Sequence, residues 1–173
     1  EKGPIWTITP QSQPLSFENI ERVISGGGIM NTLAVNTKLN NRYLIQGVLG
    51  TGGLGITYCA EDVLLNIKVA IKEFFPQGIA VRRRSNGVSI SPGTDKEVFL
   101  AGKDRFIKEA RVAASFLKSD GIVKITDYFE ANNTAYIVME YIAGITLKEY
   151  LKINGVIDID DVLDLMIPLM ESL

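Results

Sequence analysis

The stretch that decides the fold lies between residues 49 and 72 and reads LGTGGLGITYCAEDVLLNIKVAIK. Its first seven residues contain four glycines, and β-branched or aromatic residues dominate the segments that follow. A glycine turn of the Rossmann type is followed at once by a helix, but here Ile56–Cys59 has the composition of a strand. The stretch therefore predicts three consecutive antiparallel strands, the first two of which are joined by a glycine-rich turn.

The flanking sequence adds two more strands and a packed helix. We predict the five strands over residues 42–49, 56–60, 68–74, 122–130 and 135–141. Residues 104–118 are predicted to form an amphipathic helix, because their apolar residues recur at helical spacing. Further helices are predicted over residues 17–24, 146–152 and 158–173, and a small hairpin around Asn86-Gly87. The predicted fold class is α+β, with one helix packed on a mostly antiparallel five-stranded sheet.

The composition excludes several classes of chemistry. The chain has 173 residues, a net charge of −2, one cysteine and no histidine. Without histidine there is no Ser-His-Asp or Cys-His catalysis and no His-ligated metal, and one cysteine allows neither an internal disulfide nor a thiolate zinc site. A net charge near zero gives no reason to expect nucleic acid as a partner, and no apolar run is long enough to span a membrane. We therefore expect a cytoplasmic protein.

Two charged residues are candidates for a functional site. Period-two alternation places Lys72 and the small residue Ala70 on the same face of the third strand, where a flat ligand has room beside a cation. The alternative is an ordinary solvated lysine. Glu109 lies at the edge of the apolar stripe of the predicted helix, so we expect its carboxylate to point inward and to pair with Lys72. The alternative is a surface pair with Arg105 or Arg111.

The order and spacing of four motifs resemble the N-terminal lobe of a protein kinase. The motifs are Gly50-x-Gly52-x-x-Gly55, Val69-Ala70-Ile71-Lys72, Glu109 within a helix, and Tyr136-Ile-Val-Met139-Glu140-Tyr141. The amino-acid sequences of Gly52–Tyr58 and Ile71–Pro76 resemble those of bacterial serine/threonine kinases of the eukaryotic-like type. The resemblance covers about residues 38–173.

This resemblance implies one half of an ATP-binding cleft. The implied nucleotide-binding residues are Leu49, Gly50, Gly52, Gly53, Gly55, Thr57, Ala70, Lys72, Met139, Glu140 and Ile142. The implied catalytic residues are Lys72, which would contact the α- and β-phosphates, and Glu109, which would hold Lys72 in place. Met139 stands at the gatekeeper position, and the backbone of Glu140 and Ile142 would bind adenine. No metal ligand is implied within this chain.

The resemblance also implies that a longer parent protein transfers the γ-phosphate of ATP to Ser or Thr of a protein substrate. The H-R-D-x-x-x-x-N and D-F-G motifs, which supply the base and the Mg²⁺ ligands in this family, do not occur in the 173 residues. We therefore predict that the chain alone is inactive and that Mg²⁺ is bound only in the parent. The alternatives are a pseudokinase or regulatory module that acts through protein contacts, and a sheet domain unrelated to kinases.

The chain divides by this resemblance into three parts. They are a leader or linker of unknown role over residues 1–37, an N-lobe over 38–142 with an insert at 76–103, and the hinge exit with the first helices of an incomplete C-lobe over 143–173. Arg82-Arg83-Arg84 in the insert are predicted to lie in a solvated loop or, alternatively, to dock an acidic segment. The 158–173 helix carries six apolar residues on one face, which predicts a homodimer. Because the chain begins with Glu1, we expect a piece of a longer protein.

Overall fold

The computed structural model describes residues 31–115 and 122–171. Within these ranges the chain forms eight strands and three helices. The strands are β1 (Lys38–Leu39), β2 (Tyr43–Gly52), β3 (Gly55–Asp62), β4 (Ile67–Phe74), β5 (Ala80–Arg82), β6 (Val88–Ile90), β7 (Ile125–Ala131) and β8 (Thr134–Glu140). The helices are α1 (Lys96–Ala114), α2 (Leu147–Asn154) and α3 (Ile159–Glu171). The helix predicted over residues 17–24 lies outside the described residues.

One antiparallel sheet dominates the structure, with its strands in the order β1-β2-β3-β4-β8-β7. The five predicted strands are all present, and β1 is a sixth that the sequence analysis did not predict. It pairs only two residues with β2, which is too short a segment for an alternating pattern to show. The separate β5–β6 hairpin confirms the turn predicted at Asn86-Gly87, where Asn86 has a φ of 65°.

The two faces of this sheet have different neighbours. On the face that carries Lys72, which we call the helix face, β4 also carries Phe74, whose ring lies 5.3 Å from that of Phe99 and 5.5 Å from that of Phe106, both in α1. Helix α1 also contacts β7 and β8. Helix α1 therefore packs on the helix face at Phe74, which is paired with Gly55 of the glycine-rich turn, whereas Lys72 stays exposed.

On the opposite face, which we call the curl face, the sheet is strongly curved, so that side chains of β2 contact side chains of β7. The ring of Tyr43 in β2 stacks on Phe129 in β7 at 5.7 Å, and Phe129 stacks on Tyr136 in β8 at 5.0 Å. The Tyr43 hydroxyl donates a 2.8 Å hydrogen bond to the carboxylate of Asp127 in β7. Because β3, β4 and β8 lie between β2 and β7 in the sheet, these contacts enclose a core inside the curl.

Two segments outside the six-stranded sheet complete this core. Leu33, before β1, is only 3% exposed, and its N–H donates to the Tyr58 hydroxyl at 3.1 Å. Ala80 and Val88 of the β5–β6 hairpin are equally buried in the same apolar cluster. The hairpin is attached to the sheet through the Val88 N–H, which donates to the carbonyl of Asn132 at 2.7 Å. The β5–β6 hairpin therefore packs against the sheet as part of the same core.

Helix α1 begins earlier than predicted. The sequence analysis placed its start at residue 104, but Asp95 caps the helix by accepting a 2.8 Å hydrogen bond from the Glu97 N–H. This start is marked by the cap at Asp95, and a search for apolar periodicity does not include caps. Helix α2 begins with a capping box between Thr146 and Glu149, close to its predicted start. None of the helices in the described ranges is long and apolar enough to cross a membrane.

Candidate functional site

The candidate site lies where the glycine-rich β2–β3 hairpin pairs with β4. Gly50 is paired with Thr57, Thr57 with Lys72, and Lys72 with Ile137, so these residues form one row across four strands. Residues directly opposite each other in antiparallel strands point to the same face, so Thr57 and Lys72 both point to the helix face. With neighbouring strands about 4.8 Å apart, the Lys72 backbone lies about 10 Å from Gly50. The predicted face of Lys72 is thereby confirmed.

The glycine hairpin presents bare backbone on this side. Gly52 pairs with Gly55, so Gly53 and Leu54 form a two-residue turn. The carbonyls of Gly53 and Leu54 accept hydrogen bonds of 2.9 and 3.1 Å from backbone N–H groups that follow β4. A Cβ added at Gly50 or Gly53 would meet no atom within 4 Å. A ligand can therefore approach the backbone at these positions without meeting a side chain.

Lys72 and Glu109 are not brought together in this structure. The Lys72 side chain is exposed, and its Nζ lies 5.8 Å from the centroid of the Phe106 ring. The Glu109 side chain is 62% exposed and accepts a 3.0 Å hydrogen bond from Arg105 Nε. No ion pair between Lys72 and Glu109 occurs in the described part of the chain. The predicted inward orientation of Glu109 is therefore wrong, and the surface pair with Arg105 is found instead.

The reason for this orientation lies in the width of the buried stripe of α1. Its buried side chains are Phe99, Phe106, Ile107 and Ala110. Ile107 shifts the centre of the stripe away from Glu109, which lies about 100° around the helix from that centre at 3.6 residues per turn. The sequence analysis did not include Ile107 in the buried stripe, and a stripe defined by Phe106 and Ala110 alone has its centre closer to Glu109.

The residues expected to surround an adenine ring lie on or beside the same face. Ala70 is paired with Cys59 in β3 on one side and with Met139 in β8 on the other. Leu49 in β2 and Ile142 after β8 are 41% and 64% exposed. Both side chains are therefore accessible to a ligand.

The other hinge residue, Glu140, is held by the neighbouring strand. Its N–H donates to the carbonyl of Lys124 at 3.0 Å, and its carboxylate accepts from the Lys124 N–H at 2.8 Å. Just beyond it, Gly144 has a φ of 155°, a conformation that side chains rarely adopt. The chain that leaves β8 is therefore fixed at Glu140 and turns at Gly144 before α2 begins.

A buried polar network beside Lys72 was missed by the sequence analysis. Glu73 is fully buried on the curl face and accepts hydrogen bonds from the hydroxyls of Tyr58 at 2.8 Å and Tyr136 at 2.9 Å. It also forms an ion pair with Arg82, whose side chain is only 5% exposed. The prediction of a solvated loop is therefore wrong for Arg82, although Arg83 and Arg84 are exposed.

The charges in this network shift the pKa values of its members. Burial, followed by the charge of Glu73, raises the pKa of the Tyr58 and Tyr136 hydroxyls well above the ordinary tyrosine value. Burial alone would lower the pKa of Arg82, but its hydrogen bond to Glu73 and the Glu73 charge outweigh burial, so that its pKa is raised. The sequence carried a signal for this network, because Glu73 alternates with Val69 and Ile71 on the buried face of β4 and must find a cation there.

Comparison with known proteins shows the family to which this chain is related. No family model matches the chain. A probable serine/threonine-protein kinase of Clostridium acetobutylicum is 37% identical over 130 residues, which make up 75% of this chain and 17% of that protein. Further bacterial serine/threonine-protein kinases match at 30–34% identity over 64–78% of the chain. The chain is a homologue of the bacterial serine/threonine protein kinases.

Solved structures show that this kinase homologue has the fold of a kinase N-terminal lobe. The apo form of PpkA-294 matches with a TM-score of 0.67 and 34% identity, over 72% of this chain and 43% of that one. The PknI kinase domain of Mycobacterium tuberculosis matches with a TM-score of 0.58 and 21% identity, over 82% of this chain and 49% of that one. The kinase homologue thus spans less than half of either solved chain and about a sixth of the Clostridium relative.

Proposed function

We propose that this chain is the ATP-binding lobe of a protein kinase that, as a longer protein, transfers the γ-phosphate of ATP to Ser or Thr of a protein substrate. The observation that carries the proposal is the row formed by Gly50, Thr57 and the exposed Lys72 across β2, β3 and β4. Exposed glycine backbone at one end of the row suits the anionic oxygens of a polyphosphate, and the lysine ammonium at the other end is a matching cation.

The same face offers a place for the adenine ring. In the proposal, Leu49 and Ala70 contact the ring from the sheet side, Thr57 adds a more polar contact, and Met139 closes the back of the pocket. The backbone of Glu140 and Ile142 provides the hydrogen-bonding edge. The loop residues assigned to the phosphates are Gly50, Gly52, Gly53 and Gly55.

We propose that Glu109 pairs with Lys72 only after the ion pair between Glu109 and Arg105 has broken. Their exposed ion pair lies on one helix, four residues apart, and such pairs stabilise a helix by only about 0.2–0.5 kcal/mol. A small rotation of α1 on the sheet is therefore not opposed by this pair. In the proposal, the carboxylate then holds the Lys72 ammonium against the phosphates.

The chain does not supply the remaining parts of a phosphoryl-transfer site. No group of three or more Asp, Glu, His or Cys residues lies together in the described ranges, so the lobe as described does not fit a metal ion. We propose that Mg²⁺ and the catalytic base are held by the parent protein outside these 173 residues and that the chain alone is inactive. With only one wall of the cleft present, its affinity for ATP is expected to be in the upper micromolar range or weaker.

A regulatory role without catalysis is the second candidate. It is favoured by one observation, the separation of Lys72 from Glu109, which leaves the lysine without the carboxylate that kinases use to orient it. The two candidates differ in the parent sequence that follows residue 173. Intact H-R-D and D-F-G motifs there support the kinase, and their loss supports a pseudokinase that acts through protein contacts.

We also propose self-association and a cytoplasmic location for this lobe. Helix α3 exposes several apolar side chains, and a two-fold homodimer through the 158–173 helix is one way to cover them. Three of the apolar residues counted in the sequence analysis, Leu165, Leu169 and Leu173, have side chains outside the described part of the structure. The cytoplasmic location is supported by the proposed use of ATP and by the single buried cysteine, which needs no oxidising compartment.

The proposal is tested by Lys72→Met in the longest natural protein that contains this chain. Phosphoryl transfer to a protein substrate is expected to fall by about 100-fold or more, because the side chain that contacts the phosphates is lost while the fold is kept. The matched control is Lys108→Met, which removes an exposed lysine from α1 and is expected to leave transfer unchanged. Unchanged turnover in a correctly folded Lys72→Met protein would overturn the assignment.

A further inference from the structure

Arg82 connects three separate segments of the chain. Its Nη1 donates to Glu73 Oε1 at 2.7 Å and to the Asn86 carbonyl at 3.0 Å, and its Nη2 donates to the other oxygen of Glu73. Its Nε donates to the Asn31 carbonyl at 2.9 Å. The guanidinium also lies 4.8 Å from the centroid of the Phe75 ring. This one side chain therefore joins the segment before β1, the β5–β6 hairpin and the end of β4.

Glu73, the residue that Arg82 binds, is also held by both neighbouring strands. Tyr58 in β3 and Tyr136 in β8 each donate a hydroxyl hydrogen bond to its carboxylate. These strands lie on either side of β4 in the sheet. The Glu73 carboxylate is thus held by tyrosines from both neighbouring strands and by Arg82 from the β5–β6 hairpin. In the described residues, no buried side-chain nitrogen or oxygen atom is left without a partner.

Lys72 immediately precedes Glu73 in β4, and its own side chain contributes little to holding the strand. Its ammonium lies 5.8 Å from the centroid of the Phe106 ring, and the side chain is exposed. Adjacent strand residues point to opposite faces, so a slip of one residue would turn Lys72 into the curl and Glu73 onto the helix face. The position of the Lys72 ammonium therefore depends on how firmly Glu73 is held.

We propose that Arg82 is a positioning residue for Lys72. By pairing with Glu73 inside the curl, it fixes the register and direction of β4 at the point where Lys72 leaves the opposite face. The β5–β6 hairpin and the segment around Asn31 then serve the nucleotide site indirectly, because they carry and orient Arg82. The inference rests on the proposed function, which assigns the contact with the phosphates to Lys72.

The test measures the affinity for MgATP in the longest natural protein that contains this chain. The main variant is the double replacement Glu73→Gln with Arg82→Met, which removes both buried charges together and leaves an amide that the two tyrosines can still bind. Single removal of Arg82 would leave Glu73 buried without its cation and endanger folding. The milder variant is Arg82→Lys, which keeps the charge but cannot span Glu73, Asn31 and Asn86 at once. Arg83→Met, at the exposed neighbouring arginine, is the matched control.

Each variant is made with and without Lys72→Met, and folding is checked by thermal unfolding. We expect the double replacement to weaken MgATP binding about fivefold or more, and Arg82→Lys about twofold to fivefold, while Arg83→Met has no effect. In the Lys72→Met background the double replacement is expected to change binding by less than about twofold, because the residue through which it acts is gone. The KM for the protein substrate is expected to stay unchanged.

The outcomes separate this inference from the function on which it rests. Unchanged MgATP affinity in a folded double variant or a folded Arg82→Lys variant would overturn the positioning role alone. An equal loss of affinity with and without Lys72 would also overturn it, because the effect would then not pass through Lys72. Absence of MgATP binding by the unmodified protein would overturn the proposed function and this inference together.

Discussion

Gly55 lies directly against the backbone of Glu73, and a Cβ atom added at Gly55 would come within 2.3 Å of the Glu73 carbonyl oxygen. No relaxed structure contains such a contact, and the atom in the way belongs to the backbone of β4, which cannot rotate aside. We therefore predict that Gly55→Ala lowers the free energy of unfolding by about 1–3 kcal/mol or more. Thermal unfolding monitored by circular dichroism measures the effect.

Gly50→Ala is the matched control for this prediction. A Cβ at Gly50 meets nothing within 4 Å, so the same substitution there is expected to leave stability unchanged or to raise it by up to about 1 kcal/mol through the unfolded state. Equal midpoints for Gly50→Ala and Gly55→Ala would contradict the close approach of the glycine hairpin to β4.

Because Glu109 is exposed, we predict that replacing it lowers turnover without lowering the stability of the fold. Its partner Arg105 is 83% exposed, so losing their pair is expected to cost less than about 0.5 kcal/mol of stability. If Glu109 orients Lys72 during phosphoryl transfer, Glu109→Gln nevertheless lowers turnover about tenfold or more in the parent protein. The measurements are the unfolding midpoint and kcat on the same preparation, with Arg105→Gln as the control.

Arg105→Gln breaks the same pair but leaves the carboxylate free for Lys72, so its turnover is expected to stay the same or to rise. A Glu109→Gln protein with full turnover would show that Lys72 works without this carboxylate. A Glu109→Gln protein that is strongly destabilised would contradict the exposed surface pair.

Local patterns were sufficient to predict most of the sheet and the face of Lys72. Alternation along β4 placed Lys72 and Ala70 together, and in the structure Thr57 is paired with Lys72 and Met139 with Ala70. Such patterns work because the side-chain period of a strand depends only on neighbouring residues. They failed for β1, in which only Lys38 and Leu39 pair, since so short a segment carries no period.

Features that depend on three-dimensional packing were not predictable in the same way. The pair between Arg82 and Glu73 forms because the hairpin folds over the curl, and nothing in the run of three arginines marks Arg82 as the buried one. Glu109 faces solvent because Ile107 joins the buried side of α1, a choice decided by the shape of the sheet beneath it. The start of α1 depends on the cap at Asp95, which the apolar pattern does not include.

The ion pair between Asp62 and Arg42 predicts that stability depends on pH in the acid range. Asp62 is 2% exposed and accepts hydrogen bonds from Arg42 at 2.7 and 3.0 Å and from the Leu64 N–H at 3.1 Å. The bond from Arg42, above all, lowers the pKa of Asp62 below its ordinary value. Its ionised form therefore favours the folded state, and this contribution is lost as the pH falls through the lowered pKa.

Asp62→Asn is expected to lower the unfolding midpoint at neutral pH. The difference from the unmodified chain should shrink between about pH 5 and pH 2, because Asp62 is then protonated in the unmodified chain as well. Asp104→Asn, at an exposed residue of α1, is the control and is expected to leave the midpoint at pH 7 unchanged. A difference that stays constant down to pH 2 would contradict the role assigned to the Asp62 charge.

The last prediction concerns the apolar surface of the two C-terminal helices. The exposed apolar side chains of α2 and α3 include Leu147, Leu151, Ile153, Ile159, Val162, Leu163, Met166, Ile167 and Met170. Those of α3 recur at helical spacing and so form one continuous stripe. Burying a side chain of this size completely stabilises a protein by about 1.5–3 kcal/mol, and monomers rarely leave so large a patch in water.

We therefore predict that the 173-residue chain sediments as a dimer at tens of micromolar, with α3 at the interface. Val162→Glu combined with Met166→Glu places two charges in the stripe and is expected to give a folded monomer. The control is Leu64→Glu with Leu65→Glu, at exposed apolar residues of the β3–β4 turn, and it should remain dimeric. A monomeric unmodified chain would rule out the dimer, and a dimer that survives the two α3 substitutions would show that the interface lies on another surface.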